Sequence, residues 1–372
     1  MSDLSTALKV LERARTQLPV TSYFDETLYQ QEVARIFQSG PRYLGHELAV
    51  PEVGDYYALP QEGEGRALVR TPEGIQLVSN VCRHRQAVML RGRGHTRNNI
   101  VCPLHRWTYD LKGELIGAPH FDHDPCLNLK NYPVQNWNGL LFEGNGRDVA
   151  ADLARLGPRG ELDFSGYVLD KVELHECNYN WKTFIEVYLE DYHVGPFHPG
   201  LGNFVTCDDL RWEFGRHHSV QTVGVHKELE KPGSAIYRRW HEAVRNFSGG
   251  QTPPHGAIWL TYYPNIMVEW YPHVLVVSVV IPRGPEKCTV ITEFYYPEDI
   301  IWFEPDFIEA EQAAYMETCI EDDEIAERMD AGRRALMERG DNEVGPYQSP
   351  MEDGMQHFHE WYRRVMDLRD PA

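Results

Sequence analysis

A chain of 372 residues with 42% hydrophobic content is long enough to bury one large core or two smaller ones. Its formal net charge of −20 argues against a general affinity for nucleic acid or anionic membranes, because repulsion between like charges would oppose binding. The longest apolar run, residues 274–281, is far shorter than the ~20 residues of a spanning helix, and seven dispersed cysteines argue against a disulfide framework.

The first two predicted elements are helices. Apolar side chains recur with a helical period over residues 5–18, and Asp25–Gln38 predicts a second helix that Gly40 and Pro41 close. From about residue 42 to 145, short runs of β-forming residues alternate with Gly, Pro and Asn turns. That alternation is typical of a small all-β domain.

From about residue 165 the chain mixes strands and helices. Val168–His175 predicts a strand and Trp181–His193 a helix, and four β-rich stretches follow between residues 211 and 296. Two further helices are predicted over Asp306–Arg339 and Asp353–Leu368. Strands followed by helices predict an α+β unit with an antiparallel sheet.

Two short Cys/His pairs form the strongest pattern in the sequence. One residue separates Cys82 from His84, seventeen residues separate His84 from Cys102, and His105 lies three positions after Cys102. Two thiolates and two imidazoles on paired β-loops fit a 2Fe–2S cluster of the Rieske type, in which two Cys hold one iron and two His hold the other. A structural zinc site uses the same residue types, but each loop here contributes one Cys and one His, which is unusual for zinc.

Around these ligands the sequence resembles the two cluster-binding loops of Rieske oxygenases. The resemblance covers residues 81–85 and 102–110, followed by Gly113-Glu114-Leu115. The family often has C-P-H-R-G in the first loop and C-P-Y-H-G-W in the second. This chain departs from that pattern with Arg83, with Gln86–Ala87 where the family places glycine, and with Arg106 in place of another glycine. The departures leave the four ligands in place and alter the charge around the cluster.

A second stretch resembles the iron-binding segment of the same family. Its three parts are Asn180–Phe184, Glu190–His193 and His198–Gly200. Two His and one carboxylate on one face of an iron leave open positions for O2 and substrate. His193 and His198 are five residues apart and would not share a face of a straight helix. We therefore expect Gly195 and Pro196 to end the helix, so that His198 folds back towards His193.

The resemblance also implies a third iron ligand and a bridging carboxylate. In the family, the third ligand comes from a C-terminal helix, and here Asp322 is the expected residue, with Asp323 in reserve. Glu190 occupies the position of a carboxylate that connects an iron-ligand His to a cluster-ligand His of the neighbouring subunit, here His105. Such a carboxylate would orient both imidazoles and give an electron path. Asn180 joins Glu190 in the expected catalytic set, and the alternative for all the acidic residues is an ordinary solvated helix face.

The fold, the cofactors and the partners follow from the resemblance. It implies N-terminal helices over residues 1–41 that pack on the catalytic domain, a Rieske domain over 42–146, and a catalytic domain of the helix-grip (START-like) type over 147–372. The expected cofactors are a 2Fe–2S cluster and a mononuclear Fe(II). No nucleotide-binding motif is present, so an NAD(P)H-dependent reductase or a ferredoxin is the expected electron donor. The family assembles as head-to-tail ring trimers, and residues 1–10 show no targeting segment, so a cytoplasmic homotrimer is expected.

Glu190 resembles in particular the subgroup that acts on betaines and carnitine. We therefore expect an oxygenase that hydroxylates or N-demethylates a small amine or quaternary ammonium compound, with an aromatic acid or ring as the alternative substrate. Aromatic side chains hold ammonium groups by cation–π attraction, and they also serve as ordinary core. The candidate pocket residues are Phe204, Trp259, Tyr262, Tyr263, Glu269, Trp270 and Tyr271.

Two interpretations from other classes of protein stand beside this one. The first is an electron carrier with a Rieske cluster alone, against which the long segment after the β-domain argues. The second is a zinc-stapled module that binds a ligand and performs no chemistry.

Overall fold

The structure, a computed structural model, describes residues 16–368 except Asn145, Lys227, Glu228 and Glu230. The chain divides into two units, one formed by Ser39–Ala151 and the other by the residues up to Gln38 together with those from Asp152 onward. Within the described part of the chain, every helix is too short or too polar to span a bilayer.

The predicted helix over Asp25–Gln38 is confirmed in its position. Helix α1 (Glu26–Glu32) begins after Asp25, whose carboxylate accepts the N–H of Leu28 at 2.7 Å, and a π-type turn over Val33–Phe37 continues it. The predicted helix over residues 5–18 lies outside the described residues up to position 15. Residues 16–18 are not helical.

The unit Ser39–Ala151 consists of short antiparallel strands, as the alternation of β-runs and turns predicts. Its strands are β1 (Tyr43–His46), β2 (Asp55–Ala58), β3 (Arg66–Thr71), β4 (Gly74–Ser79), β5 (Arg93–His95), β6 (Asn99–Val101), β7 (Thr108–Asp110), β8 (Leu115–Gly117), β9 (Asn131–Tyr132), β10 (Val134–Trp137) and β11 (Leu140–Glu143). They form three sheets, with the strand orders β1-β11-β10, β5-β2-β3-β4-β9 and β6-β7-β8. A core that includes Val69, Val78, Trp107 and Tyr109 also contains two cysteines.

A seven-stranded antiparallel sheet with helices forms the other unit, which confirms the α+β prediction. The remaining elements are α2 (Val149–Asp152), β12 (Tyr167–Cys177), α3 (Trp181–Tyr188), α4 (Val194–Phe197), β13 (Val205–Phe214), β14 (His218–Val225), α5 (Ala235–Phe247), β15 (Ala257–Tyr262), β16 (Ile266–Tyr271), β17 (Val274–Gly284), β18 (Lys287–Pro297), α6 (Glu298–Phe303), α7 (Pro305–Glu338) and α8 (Asp353–Met366). The strand order is β12-β18-β17-β16-β15-β14-β13. The two long predicted helices correspond to α7 and α8.

One face of this sheet is apolar at both ends and polar in the middle. Successive side chains of a strand point to opposite faces, so the register decides which residues share a face. Trp259 pairs with Glu269, which pairs with Val276, and these residues form one row across that face. Ser278 and Thr292 pair in the next row. The aromatic and aliphatic clusters lie towards the two ends of the same strands, which leaves the polar residues between them.

Two local predictions differ from the structure. The helix predicted over Trp181–His193 ends at Tyr188, and the short helix α4 (Val194–Phe197) contains Pro196, so Gly195-Pro196 does not end a helix. Pro196 fits there because the first N–H groups of a helix have no intrahelical partner. Helix α5 was not predicted, although Tyr237, Trp240 and Val244 follow a helical spacing after the capping residue Ser234.

Two candidate metal centres and a buried cavity

The two Cys/His loops repeat the same backbone geometry. In each loop, the N–H of the cysteine donates to the carbonyl five residues later, and the carbonyl of the cysteine accepts the N–H four residues later. The distances are 2.9 and 3.0 Å around Cys82, and 2.8 and 3.1 Å around Cys102. Two equivalent loops therefore present one cysteine and one histidine each.

The four side chains fit a Rieske cluster. Cys82 and Cys102 are each 1% exposed, and the rings of His84 and His105 lie 4.6 Å apart between their centroids. The His84 ring stacks on Trp107, and its buried Nδ1 has no hydrogen-bond partner among the described residues. An imidazole nitrogen that is buried and unpaired is costly unless it binds a ligand, and iron would be that ligand.

A cavity of about 410 Å³ lies within the larger unit, against the polar middle of the sheet face. Strands β12, β15, β16 and β18 contribute to its walls. Helix α7 contributes residues at positions 311, 314, 315, 318, 319 and 322, with Met316 and Asp323 at the edge of this set. These positions recur every three or four residues, which places them on one side of the helix. The lining also includes both histidines of the predicted iron site.

His193, His198 and Asp322 converge on one point of this cavity. The Nε2 atoms of the two histidines are 3.0 Å apart, and Oδ1 of Asp322 lies 3.3 Å from the first and 3.0 Å from the second. Ligand atoms lie about 2.0–2.2 Å from a first-row metal ion, so two of them at a right angle are about 3.0 Å apart. The three residues thus fit a single metal ion of the two-His, one-carboxylate kind.

Further carboxylates orient both histidines. Oε2 of Glu321 lies 2.7 Å from Nδ1 of His198, and Oε1 of Glu190 lies 2.5 Å from Nδ1 of His193. The contact with Glu321 favours a proton on Nδ1 of His198, which leaves its Nε2 lone pair for a metal. The contact of Glu190 with Nδ1 of His193 is an ion pair that lacks hydrogen-bond geometry. Burial alone lowers the pKa of His193, but Asp322 and Glu190 outweigh it and raise that pKa to about 10. The site therefore attracts positive charge.

Asp323 points to a different set of partners. Its Oδ2 lies 2.6 Å from Nε2 of His175, and its Oδ1 accepts the hydroxyl of Tyr179 at 2.6 Å. Consecutive residues of a helix differ by about 100° in direction, and here the two aspartates turn to different histidines. Of the two predicted aspartates, the structure brings Asp322 and not Asp323 to the histidines.

The structure places Asn180 away from the cavity. Its side-chain oxygen accepts the N–H of Lys182 at 2.8 Å and so caps helix α3, and its Nδ2 donates to the carbonyls of Tyr23 and Pro285. It is not among the residues that line the cavity. Asn180 therefore has a structural role as a helix cap and does not contact the candidate metal site.

Four of the seven candidate pocket residues line the cavity: Phe204, Trp259, Glu269 and Tyr271. Tyr262 and Trp270 point to the opposite face of the sheet, and Tyr263 packs against Trp361 in the core. The lining residues that the sequence did not single out include Tyr188, Thr292, Glu311 and Tyr315. On α7, the spacing of Glu311, Tyr315 and Asp322 places them on one helical face, and this spacing could have predicted that they line the same cavity.

Comparison with known proteins agrees with this architecture. A family model for the ring hydroxylating alpha subunit (catalytic domain) matches residues 162–368, and one for the Rieske [2Fe-2S] domain matches residues 42–133. The putrescine 2-hydroxylase of Ralstonia nicotianae is 70% identical over 99% of this chain and 100% of its own length. The putrescine 2-hydroxylase of Bordetella bronchiseptica is 61% identical over 98% of this chain and 88% of its own.

Solved structures show the same fold at low identity. A quaternary ammonium Rieske monooxygenase in complex with L-carnitine superposes with a TM-score of 0.75 at 19% identity, over 96% of this chain and 97% of that one. The comparisons confirm the predicted fold class, the enzyme class and the two cofactors, a Rieske 2Fe–2S cluster and a mononuclear iron. They set aside the interpretations as an electron carrier and as a zinc-stapled binder. The chain therefore belongs to the Rieske non-haem iron oxygenases, as the oxygenase (alpha) subunit of the ring-hydroxylating family.

Proposed function

We propose that this chain hydroxylates putrescine, a four-carbon diamine, at C2. The observation that carries the proposal is the 70% identity, over the full length of both chains, with a putrescine 2-hydroxylase. The oxygen atom comes from O2, and the electrons come from a separate NAD(P)H-dependent reductase or ferredoxin. None of the seven cysteines forms a disulfide, which supports the cytoplasm as the compartment of this chain.

We assign the two metal centres as the sequence predicts. Cys82, His84, Cys102 and His105 hold the cluster, and His193, His198 and Asp322 hold the iron. When bound, the two centres supply electrons and activate O2. The chain supports the iron ligands through the carboxylates of Glu190 and Glu321, which fix the ring orientations of the histidines.

Glu190 is also the residue that we assign to electron transfer between subunits. It contacts His193 through both the ring and the backbone N–H, the latter at 3.1 Å. A solved relative is described as using inter-subunit electron transfer in carnitine oxidation. In the homotrimer that we propose, His105 of a neighbouring subunit completes the path to Glu190.

The cavity walls suit an aliphatic cation. Phe184, Tyr188, Trp259 and Tyr271 give aromatic surface that packs against methylene groups and attracts an ammonium group. The same walls favour quaternary ammonium compounds as the second candidate, since choline monooxygenases are 25–26% identical to this chain.

The test is product formation by the holoenzyme. Cluster- and iron-loaded protein, a surrogate reductase and NADH are incubated with putrescine under ¹⁸O2, and the product is identified by mass spectrometry. We expect one ¹⁸O atom in a product that keeps both nitrogens. A hydroxyl on C1 would instead give a carbinolamine that loses ammonia, so nitrogen retention reports the position.

Choline and carnitine are the matched controls in the same assay. Product from either of them, with none from putrescine, would move the proposal to the quaternary ammonium class. Oxygen uptake without any hydroxylated diamine would contradict the proposed function outright.

A further inference from the structure

We propose that Glu269 is the receptor for an ammonium group of the substrate, an inference that rests on the proposed diamine hydroxylation. Glu269 lies in the polar middle of the sheet face and lines the cavity that contains the candidate iron ligands. Glu269 is not one of the residues assigned to the two metal centres. Its role would be to select a cation and to set the distance of the reacting carbon from the iron ligands.

The carboxylate of Glu269 is buried and held in place by neutral donors. It is 1% exposed, and it accepts hydrogen bonds from Tyr271 at 2.8 Å, Tyr315 at 3.0 Å and Ser278 at 3.1 Å. The indole N–H of Trp259 donates to the hydroxyl of Tyr271 and fixes that donor in turn. Such a shell orients the carboxylate and leaves its charge without a counterion.

No lysine, arginine or histidine among the described residues neutralises this charge. Burial raises the pKa of Glu269 to about 7, and the negative charge of Asp322 acts in the same direction. Glu311 is a second buried carboxyl group that lines the cavity; it accepts the Tyr296 hydroxyl, and burial raises its pKa to about 8. A buried carboxylate without a cation is unfavourable, and a ligand cation would supply the missing partner.

A second, independent feature of the same region points to a ligand. The hydroxyl oxygen of Tyr188 is fully buried in the cavity wall and has no hydrogen-bond partner within the described part of the chain. Burial raises the pKa of this hydroxyl, and the charge of the nearby Glu269 carboxylate acts in the same direction. An –NH₃⁺ group carries three N–H donors, and the Glu269 carboxylate with the Tyr188 oxygen offers acceptors for them.

Glu269 and the iron ligands both contact α7, about two turns apart. Tyr315, which donates to Glu269, and Asp322 lie seven residues apart on the same face of α7, a rise of about 10 Å. An extended four-carbon diamine measures roughly 6 Å between its nitrogens. A diamine held at Glu269 would therefore extend along α7 towards the iron ligands. A quaternary ammonium group has no N–H donors for this carboxylate.

The experiment measures anaerobic binding of putrescine to cluster- and iron-loaded protein by calorimetry. Glu269→Gln keeps the shape and removes the charge, and we expect it to weaken putrescine binding about 10- to 100-fold. Glu293→Gln is the matched control, because Glu293 is equally buried and accepts a tyrosine hydroxyl at 2.6 Å, but does not line the cavity. That variant should bind putrescine within a factor of two of the unchanged chain.

Putrescine binding by Glu269→Gln that equals that of the control would overturn the receptor assignment while leaving the proposed function in place. Failure of the unchanged chain to bind or hydroxylate putrescine would overturn both. A further measurement on the unchanged chain does not depend on how the variant folds. Butylammonium should compete with putrescine for binding and butanol should not, and equal competition by the two would refute an ammonium receptor.

Discussion

Gln86 and Arg106 occupy equivalent positions of the two cluster loops, four residues after each cysteine. Both have a left-handed backbone, with φ of 55° and 61°. Side chains with a Cβ disfavour this conformation by about 1–2 kcal/mol, whereas glycine adopts it freely. The family pattern of glycine near these positions thus has a physical reason, and this chain departs from it at both loops.

The first prediction concerns this backbone strain. Gln86→Gly should raise the free energy of unfolding of the cluster domain by up to about 1 kcal/mol, because the relief of strain exceeds the entropy that glycine adds to the unfolded chain. The measurement is thermal unfolding followed by cluster absorbance. Gln86→Ala serves as the control and should give no gain. A lower melting temperature for the glycine variant would show that the Gln86 side chain stabilises the loop.

The second prediction separates the adjacent aspartates of α7. Asp322→Asn should remove the mononuclear iron and leave the cluster, because Asp322 supplies the charged oxygen beside both histidines. Asp323→Asn should keep that iron, since Asp323 contacts His175 and Tyr179 instead. Iron per chain and cluster absorbance are the two measurements. Loss of iron in Asp323→Asn alone would reverse the assignment.

Sequence patterns predict a complete set of metal ligands, but they predict only part of the cavity wall. The cluster ligands are four close residues in two short loops, and His193 and His198 are five positions apart, so local spacing contains most of the information. The composition of the cavity wall around Glu269 depends on strand register, which cannot be read from the sequence alone. A shift of one residue would exchange Glu269 for Trp270, and this is why Trp270 and Tyr262 were placed in the pocket wrongly.

Among the secondary-structure elements, hydrophobic periodicity predicts the long helices but does not predict where α3 ends. Helix α7 has a continuous pattern over 34 residues and was predicted within one residue at each end. The end of α3 at Tyr188 depends on tertiary contacts, among them the N–H of Asp191, which donates to the carbonyl of Met351 at 3.0 Å. No local pattern encodes such a contact, because its partner lies 160 residues away in the chain.

A buried ion pair connects three helices of the larger unit. Nζ of Lys182 on α3 lies 2.6 Å from Glu32 on α1, and both side chains are at most 1% exposed. Glu32 also accepts the Trp181 indole N–H at 2.9 Å and the hydroxyl of Tyr362 on α8 at 2.5 Å. The segment that leads to the iron site is therefore fixed at its beginning by a desolvated charge.

The third prediction tests this ion pair. Lys182→Met should destabilise the larger unit by about 3–5 kcal/mol, because it leaves the Glu32 carboxylate buried without a cation. Lys182→Met combined with Glu32→Gln should recover part of the loss, since the remaining group is neutral and still hydrogen-bonded. Urea unfolding of both single variants and the double variant gives the coupling energy. Strictly additive effects would contradict direct coupling between these two residues.

In the whole molecule, the two metal centres lie in different units of the chain, and electrons must pass from one centre to the other. All cluster ligands lie in the unit Ser39–Ala151, and all candidate iron ligands lie in the other unit. His105 is exposed in the single chain, and the Glu190 side chain is 16% exposed, so both could meet a second chain. A path between subunits makes each active site a property of two chains, and it can be tested by complementation.

The fourth prediction is recovery of activity in mixed oligomers. Cys102→Ser removes the cluster, His193→Ala removes the iron, and each variant alone should be inactive. When the two are co-expressed in equal amounts, a ring with head-to-tail transfer joins a working cluster to a working iron at about one quarter of its interfaces. Transfer within one chain predicts no recovery, because neither chain has both centres.

A substitution of Glu190 in the same experiment shows which of the two subunits supplies the bridging carboxylate. Glu190→Gln on the Cys102→Ser chain, whose iron receives the electron, should reduce the recovered activity, because that Glu190 belongs to the working iron site. The same substitution on the His193→Ala chain, which only donates electrons through its cluster, should change nothing. Equal effects from the two placements would mean that Glu190 acts on assembly rather than on the electron path. A loss confined to the accepting chain would instead assign the bridge to the iron side of the interface, in agreement with the contact between Glu190 and His193.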